Sequence, residues 1–174
     1  EHSTSQIPHS TSVRLLVVGD GELREECEAY ATEHDLPVTF VGFKNQSELG
    51  RYYTAADVFV LPSGMGETWG LVVNEAMNFN LPVIVSDLVG SSDDLVENGN
   101  NGFTYPVGEV EALAERMRFF LQNPSRREAM GKRSGEIIQN YSYEQVVEGI
   151  LAAAGIPNGM QQQGKSNESK KRLT

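Results

Sequence analysis

The sequence has little of what usually announces a chemistry. A single cysteine, Cys27, stands among 174 residues. That excludes an internal disulfide framework and suits a reducing cytoplasm. Basic residues are also scarce, 14 against 24 acidic ones, for a formal charge of −10. A DNA- or RNA-binding surface calls for a basic stripe, and this balance argues against one. The clustered Lys165, Lys170, Lys171 and Arg172 fall in the C-terminal tail and read as a solvated end. No apolar run approaches the roughly 18 residues of a membrane span, and no signal-peptide pattern opens the chain. Glu1 rather than Met comes first, so an excerpt or a processed product is expected.

Familiar motifs are missing too. HExxH, CxxC and D-x-D do not occur, which leaves no expected metal site. Without a Walker A sequence, ordinary ATPase or kinase chemistry has no support. Ser63 lacks the G-x-S-x-G elbow of a hydrolase. Gly19-Asp20-Gly21 invites a dinucleotide reading, but Arg24 stands where the third glycine of GxGxxG belongs, and a tight turn explains the pair as well.

What is present is an alternation of short apolar runs and helical stripes. Hydrophobic content of 39% and 17 glycines describe one globular, loop-punctuated domain. Strands are expected at 14–18, 38–41, 57–61, 82–86 and 103–105. Between them, Leu23, Cys27, Tyr30 and Ala31 mark one face of a helix over 22–34, with Cys27 a small core residue. Asn45-Gln46-Ser47-Glu48 carries capping chemistry for a helix to about Ala56. A further helix starts near Thr68 and runs to about Phe79, and a helical turn covers 93–97. Three closing helices are marked by Val110, Leu113, Ala114, Met117 and Leu121, then Met130, Ile137, Ile138 and Tyr141, then Val146, Val147, Ile150 and Leu151. Strands alternating with helices predict an α/β fold, a parallel sheet with helices on both faces. Residues 1–12 read as a disordered lead-in in which His2 and His9 are incidental, 13–154 as the domain, and 155–174 as a polar, basic, disordered tail.

The stretch Leu61–Met77 is the candidate site. A strand, then Pro62, Ser63, Gly64 and Gly66, then a helix start, is where a ligand of an α/β protein meets backbone amides. Glu67 and Glu75 are eight positions apart, about 12 Å if all of it is helical. That span suits a diphosphate with a sugar at each end. Free N–H groups of Thr68, Trp69, Gly70 and Leu71 could meet phosphate or sugar oxygens, with Gly70 permitting close backbone approach. A helix-start acid and an exposed helical charge account for the two glutamates equally well from spacing alone.

Glu67-Thr-Trp-Gly-Leu-Val-Val-Asn-Glu75 resembles the E-x7-E signature of retaining glycosyltransferases built from two facing Rossmann-like domains (the GT-B type, family 4 in the carbohydrate-enzyme grouping). Supporting blocks follow in the same order: LLVVGDGELREE at 15–26, VTFVGF at 38–43, ADVFVLPS at 56–63, NEAM at 74–77, LPVIVSD at 81–87, DLVENGNNGF at 94–103 and YSYEQVVEGI at 141–150. The resemblance runs from about Val13 to Leu151. It implies a Rossmann-like, C-terminal donor-binding domain whose substrate is a nucleotide-diphosphate sugar. Glu75 corresponds to the acid on the nucleotide ribose and Glu67 to the catalytic acid beside the transferred sugar. The amides of Thr68–Leu71 would contact sugar and phosphate, and Gly19 with the Gly42–Phe43 turn would border the nucleotide.

Further implications are a hexosyl group moved with retention, no cofactor and no divalent metal. Donor cations and an acceptor domain would come from elsewhere in a full-length chain or from a partner subunit. The first strand–helix unit of the family has no counterpart before Val13, and Asn80 stands where the family has glycine. An isolated chain is therefore expected to be inactive or very weak. A non-catalytic nucleotide-sugar-binding or scaffolding module is the alternative, and a sugar-nucleotide epimerase a weaker third.

Overall fold

The computed structural model describes residues 13–156. The expected lead-in and most of the expected tail lie outside the described residues. Thirteen elements occur in the order β1 (Leu15–Val17), α1 (Arg24–Glu33), β2 (Val38–Phe40), α2 (Gln46–Ala55), β3 (Phe59–Leu61), α3 (Leu71–Asn78), β4 (Val83–Ser86), α4 (Ser92–Leu95), β5 (Gly102–Tyr105), α5 (Val110–Gln122), α6 (Pro124–Ile138), a 3₁₀ turn (Gln139–Tyr141) and α7 (Tyr143–Ala153). The chain divides into two compact units with the boundary at Gly135.

All strand pairing in the first unit is parallel, as the alternation of strands and helices predicts. It comes in two ladders rather than one: β1 beside β2, and β3-β4-β5. In a doubly wound sheet of order 3-2-1-4-5-6, a pair and a triple of this kind would flank the central strand. The described residues supply the pair β1-β2 and the triple β3-β4-β5, and no described strand hydrogen-bonds to both. The fold is a partial Rossmann-like domain.

The three-stranded ladder is the packed centre. Val60, Ile84 and Phe103 are in register across it, so they share a face. With Tyr105, Phe120 and Met130 they form a cluster against α5 and α6. Phe59 points the other way, as strand periodicity requires. It packs with Leu49, Tyr53, Ala56, Ala76 and Leu81 under α2 and α3. Helices therefore cover both faces, and β4 is buried along its whole length.

The β1–β2 ladder differs from expectation. Leu15 is 45% exposed and Leu16 38%, although the apolar run predicts a buried strand. The stripe of α1 is open as well: Leu23 and Tyr30 are exposed, and so is Cys27, which is not a core residue. The ladder has only two strands, and neither of its outer edges pairs with another described strand.

Asn80 takes the conformation for which the family uses glycine. Its φ is 56°, a left-handed value that asparagine tolerates better than other side chains. The Leu81 N–H donates to the Ala76 carbonyl and the Asn80 N–H to the Met77 carbonyl. That is a Schellman closure of α3 with Asn80 at the glycine position. In the second unit, the Ser142 hydroxyl accepts from the Gln145 N–H at the start of α7. Val146, Val147 and Ile150 are exposed there rather than in a core. Helical periodicity states which face wants cover, not which residues supply it.

Hydrogen exchange should separate the two ladders. Amides of Val83–Ser86 are expected to exchange only through global opening. Those of Leu15–Val17 should exchange faster by about tenfold or more, and equal protection would contradict the division described.

Candidate functional site

The E-x7-E stretch is not one continuous helix. Gly70 has φ 83° and ψ 56°, a left-handed conformation that no helix interior contains, so α3 starts at Leu71 and Glu67 lies in the turn before it. The 12 Å helical spacing therefore does not apply. Gly70 is also hemmed in: a Cβ there would sit 2.8 Å from Val89 Cγ1 and 3.2 Å from Leu61 Cδ2. Both the φ and the space call for glycine here, on account of the protein's own side chains rather than a ligand.

Glu67 is tied to this turn. Its Oε1 accepts a 2.9 Å hydrogen bond from the Gly70 N–H, placing a carboxylate at the positive end of α3. One of the four amides expected to be free is thus occupied. The amides of Thr68, Trp69 and Leu71 have no partner among the described residues. The Trp69 indole N–H donates to Asn74 Oδ1 at 2.9 Å, which fixes the ring against the first turn of α3. Leu71 is 69% exposed, so only its backbone has a claim on a ligand.

The loop after β4 holds the same turn from the far side. Ser91 N–H donates to the Trp69 carbonyl at 3.0 Å. A Cβ on Gly90 would lie 1.9 Å from the Thr68 carbonyl oxygen, so the two backbones touch with no room for a side chain. The Ser86 hydroxyl donates to the Ser63 carbonyl and ties the end of β4 to the loop that leads into the turn.

Glu75 lies on α3 and both its oxygens are engaged. Oε2 accepts from the Tyr53 hydroxyl at 2.8 Å, and Oε1 from Gln46 Nε2 at 3.4 Å. Gln46 opens α2 three residues after Phe43, so this contact brings the Gly42–Phe43 turn toward the acid. Gly19 joins that turn through its N–H, which donates to the Gly42 carbonyl at 3.0 Å. Gly42 is buried with φ 71°, and a Cβ would lie 2.8 Å from Arg24 Nη1. Arg24, the residue in the third-glycine place, is braced by Asp20 and Glu28. Phe43 is 75% exposed and offers a free aromatic face.

Two groupings result. Gly19, Gly42 and Phe43 cluster at the ends of β1 and β2; Glu67, Thr68, Trp69, Gly70, Leu71 and Glu75 gather around the start of α3; Gln46 links them. Sequence reasoning missed Tyr53, Gln46 and Asn74 as members, while Gly90 lies in the loop Asp87–Ser92, which the sequence marks as one of the loops at the ligand edge. Gln46 read as capping chemistry and Tyr53 as helix interior, because their meaning depends on a partner 29 or 22 residues away.

Replacing Gly90 tests the turn. Gly90→Ala should cost about 1–3 kcal/mol through forced overpacking and shift the fluorescence of Trp69, the chain's one tryptophan. Gly149→Ala, where a Cβ meets nothing, should leave the emission unchanged. Identical emission in wild type and Gly90→Ala would disprove the close contact.

The family model described as "Glycosyl transferases group 1" matches residues 3–137. Sulfoquinovosyl transferase SQD2 of Arabidopsis thaliana is 36% identical over 132 residues, 75% of this chain and 25% of that protein. A GDP-mannose-dependent alpha-mannosyltransferase of Mycobacterium tuberculosis is 37% identical over 132 residues, 71% of this chain and 33% of its own length. Among solved structures, sucrose-phosphate synthase from Thermosynechococcus elongatus superposes with TM-score 0.68 at 32% identity, covering 80% of this chain and 39% of that one. HepE of Anabaena, in complex with UDP, gives TM-score 0.74 at 24% identity over 82% of this chain and 41% of its own. The chain spans between 25% and 39% of the length of the curated relatives it matches. No helix of the described residues is long and apolar enough to cross a membrane. With the ordered E-x7-E blocks and a parallel Rossmann-like core, these matches show that the chain belongs to the glycosyl transferases group 1 family, with a fold of the GT-B type.

Proposed function

We propose that this chain is the donor-binding part of a glycosyltransferase that moves a hexosyl group from a nucleotide-diphosphate sugar with retention. The observation that carries the reading is the convergence on α3. Glu67 caps its first turn through Gly70, and Glu75, one turn further on, is reached from the Gly42–Phe43 side by Gln46. In this reading Glu75 accepts from the ribose hydroxyls and Phe43 and Gly19 border the nucleotide. The free amides of Thr68, Trp69 and Leu71 meet phosphate or sugar oxygens at the positive end of a helix dipole. Glu67, in the turn, faces the transferred sugar. UDP and UDP-glucose complexes of HepE support a donor of this class.

The chemistry then needs charge stabilisation at the departing diphosphate. The bond from the sugar's anomeric carbon to the phosphate oxygen breaks as an acceptor oxygen attacks the same face. The acceptor's proton leaves with the diphosphate. Preorganised amides and cations lower that barrier without a metal. The acceptor, and cations beyond those described, belong to a domain of the same full-length chain or to a partner subunit. A reducing cytoplasm is the proposed setting, where an exposed free thiol such as Cys27 persists.

Calorimetric titration with UDP-, GDP- and ADP-sugars tests the donor site. One of them should bind in the micromolar-to-millimolar range, with little transfer by the chain alone. Glu75→Gln should weaken that binding by about tenfold, the worth of a hydrogen bond to a charged group. Failure of all three sugars to bind would remove the donor-site reading.

A further inference from the structure

Tyr53 is 9% exposed and closes a small aromatic core. Its ring stacks on Phe79 at 5.3 Å between centroids and tilts against Phe59 at 6.1 Å. Most of this residue does what a buried phenylalanine would do. The hydroxyl is the exception, because its partner is a carboxylate on another helix, Oε2 of Glu75 at 2.8 Å. An ionised carboxylate only accepts, so the phenol donates. The bond is charge-assisted and short, one of the stronger kinds a protein makes.

Gln46 holds the other oxygen, at the longer distance of 3.4 Å. Both donors come from α2, Gln46 at its first residue and Tyr53 on its buried side. A carboxylate has about four lone-pair sites on its two oxygens. Engaging one on each oxygen from the same helix fixes the plane of the group. The remaining site on each oxygen is left for a ligand with two neighbouring hydroxyls. A ribose 2′,3′-diol has that form.

We propose that Tyr53 is a positioning residue for the nucleotide: its hydroxyl holds Glu75 in the orientation that receives both ribose hydroxyls. The proposal rests on the reading of Glu75 as the ribose acid. Burial, then the hydrogen bond and the negative charge of Glu75, push the Tyr53 phenol well above its ordinary range. The hydroxyl therefore keeps the proton it donates across any working pH. Without that hydroxyl the carboxylate is restrained only by the weaker bond from Gln46, and pairing with a diol carries the entropy of fixing it.

Tyr53→Phe tests this, since it keeps the ring and both aromatic contacts. Whichever of UDP, GDP or ADP binds is titrated calorimetrically alongside its 2′,3′-dideoxy form. The variant should bind the natural nucleotide about tenfold more weakly and the dideoxy form unchanged. In a Glu75→Gln background, Tyr53→Phe should have no further effect on either. Equal losses for both nucleotides would reduce Tyr53 to a packing role and overturn the proposal. So would an unchanged natural nucleotide in a protein whose Glu75→Gln variant is weakened. If Glu75→Gln itself changes nothing, the ribose-acid reading fails first, a result distinguishable from failure of the positioning role alone. Should Tyr53→Phe melt early, Gln46→Ala supplies a second test: a smaller loss confined to the natural nucleotide supports the two-point hold, and a loss shared by the dideoxy form overturns it.

Discussion

The contact between Gly90 and the carbonyl of Thr68 is the constraint from which the site takes its shape. The turn before α3 must leave β3, reverse at a left-handed Gly70 and present its amides outward. Within the turn, Gly70 and the Glu67 carboxylate set the reversal, but they do not by themselves hold Thr68 and Trp69 in place. The backbone of the loop after β4 supplies the missing restraint by lying against it, with Ser91 gripping the Trp69 carbonyl. That loop is in turn anchored by β4, the strand buried along its whole length. The accuracy of the site thus descends from the densest part of the core, as a preorganised site requires.

The two faces of the three-stranded ladder serve different ends. On one, Phe103, Phe119 and Phe120 meet edge-on or tilted and pack with Ile84, Tyr105 and Met130. The other uses smaller residues, Ala76 and Leu81, with Tyr53 among them. There the single buried hydroxyl reaches an acid at the rim. Core packing on that face therefore sets the direction of the Glu75 carboxylate.

Much of this was legible in the sequence. Every strand and helix was foreseen within a few residues, because period-2 and period-3.6 patterns report directly on backbone state. The E-x7-E pair and Gly70 were also legible, since spacing and a helix-start glycine are local signals. What escaped was long-range. The exposure of Leu15, Leu16 and Cys27 depends on which strands are neighbours, which periodicity does not encode. The start of α3 at Leu71 rather than Thr68 follows from the left-handed Gly70, whose turn is packed against Gly90 of a later loop. Asn80 in place of glycine looked like a departure, yet its backbone takes the left-handed conformation that glycine favours.

The edge of β1 away from β2, and that of β3 away from β4, end the two ladders without a described partner. An unpaired edge carries a row of amides and carbonyls that any extended chain can join, and flanking apolar side chains such as Leu15 and Leu16 strengthen the attraction. Among the described residues, each of these two edges therefore keeps open backbone donors and acceptors.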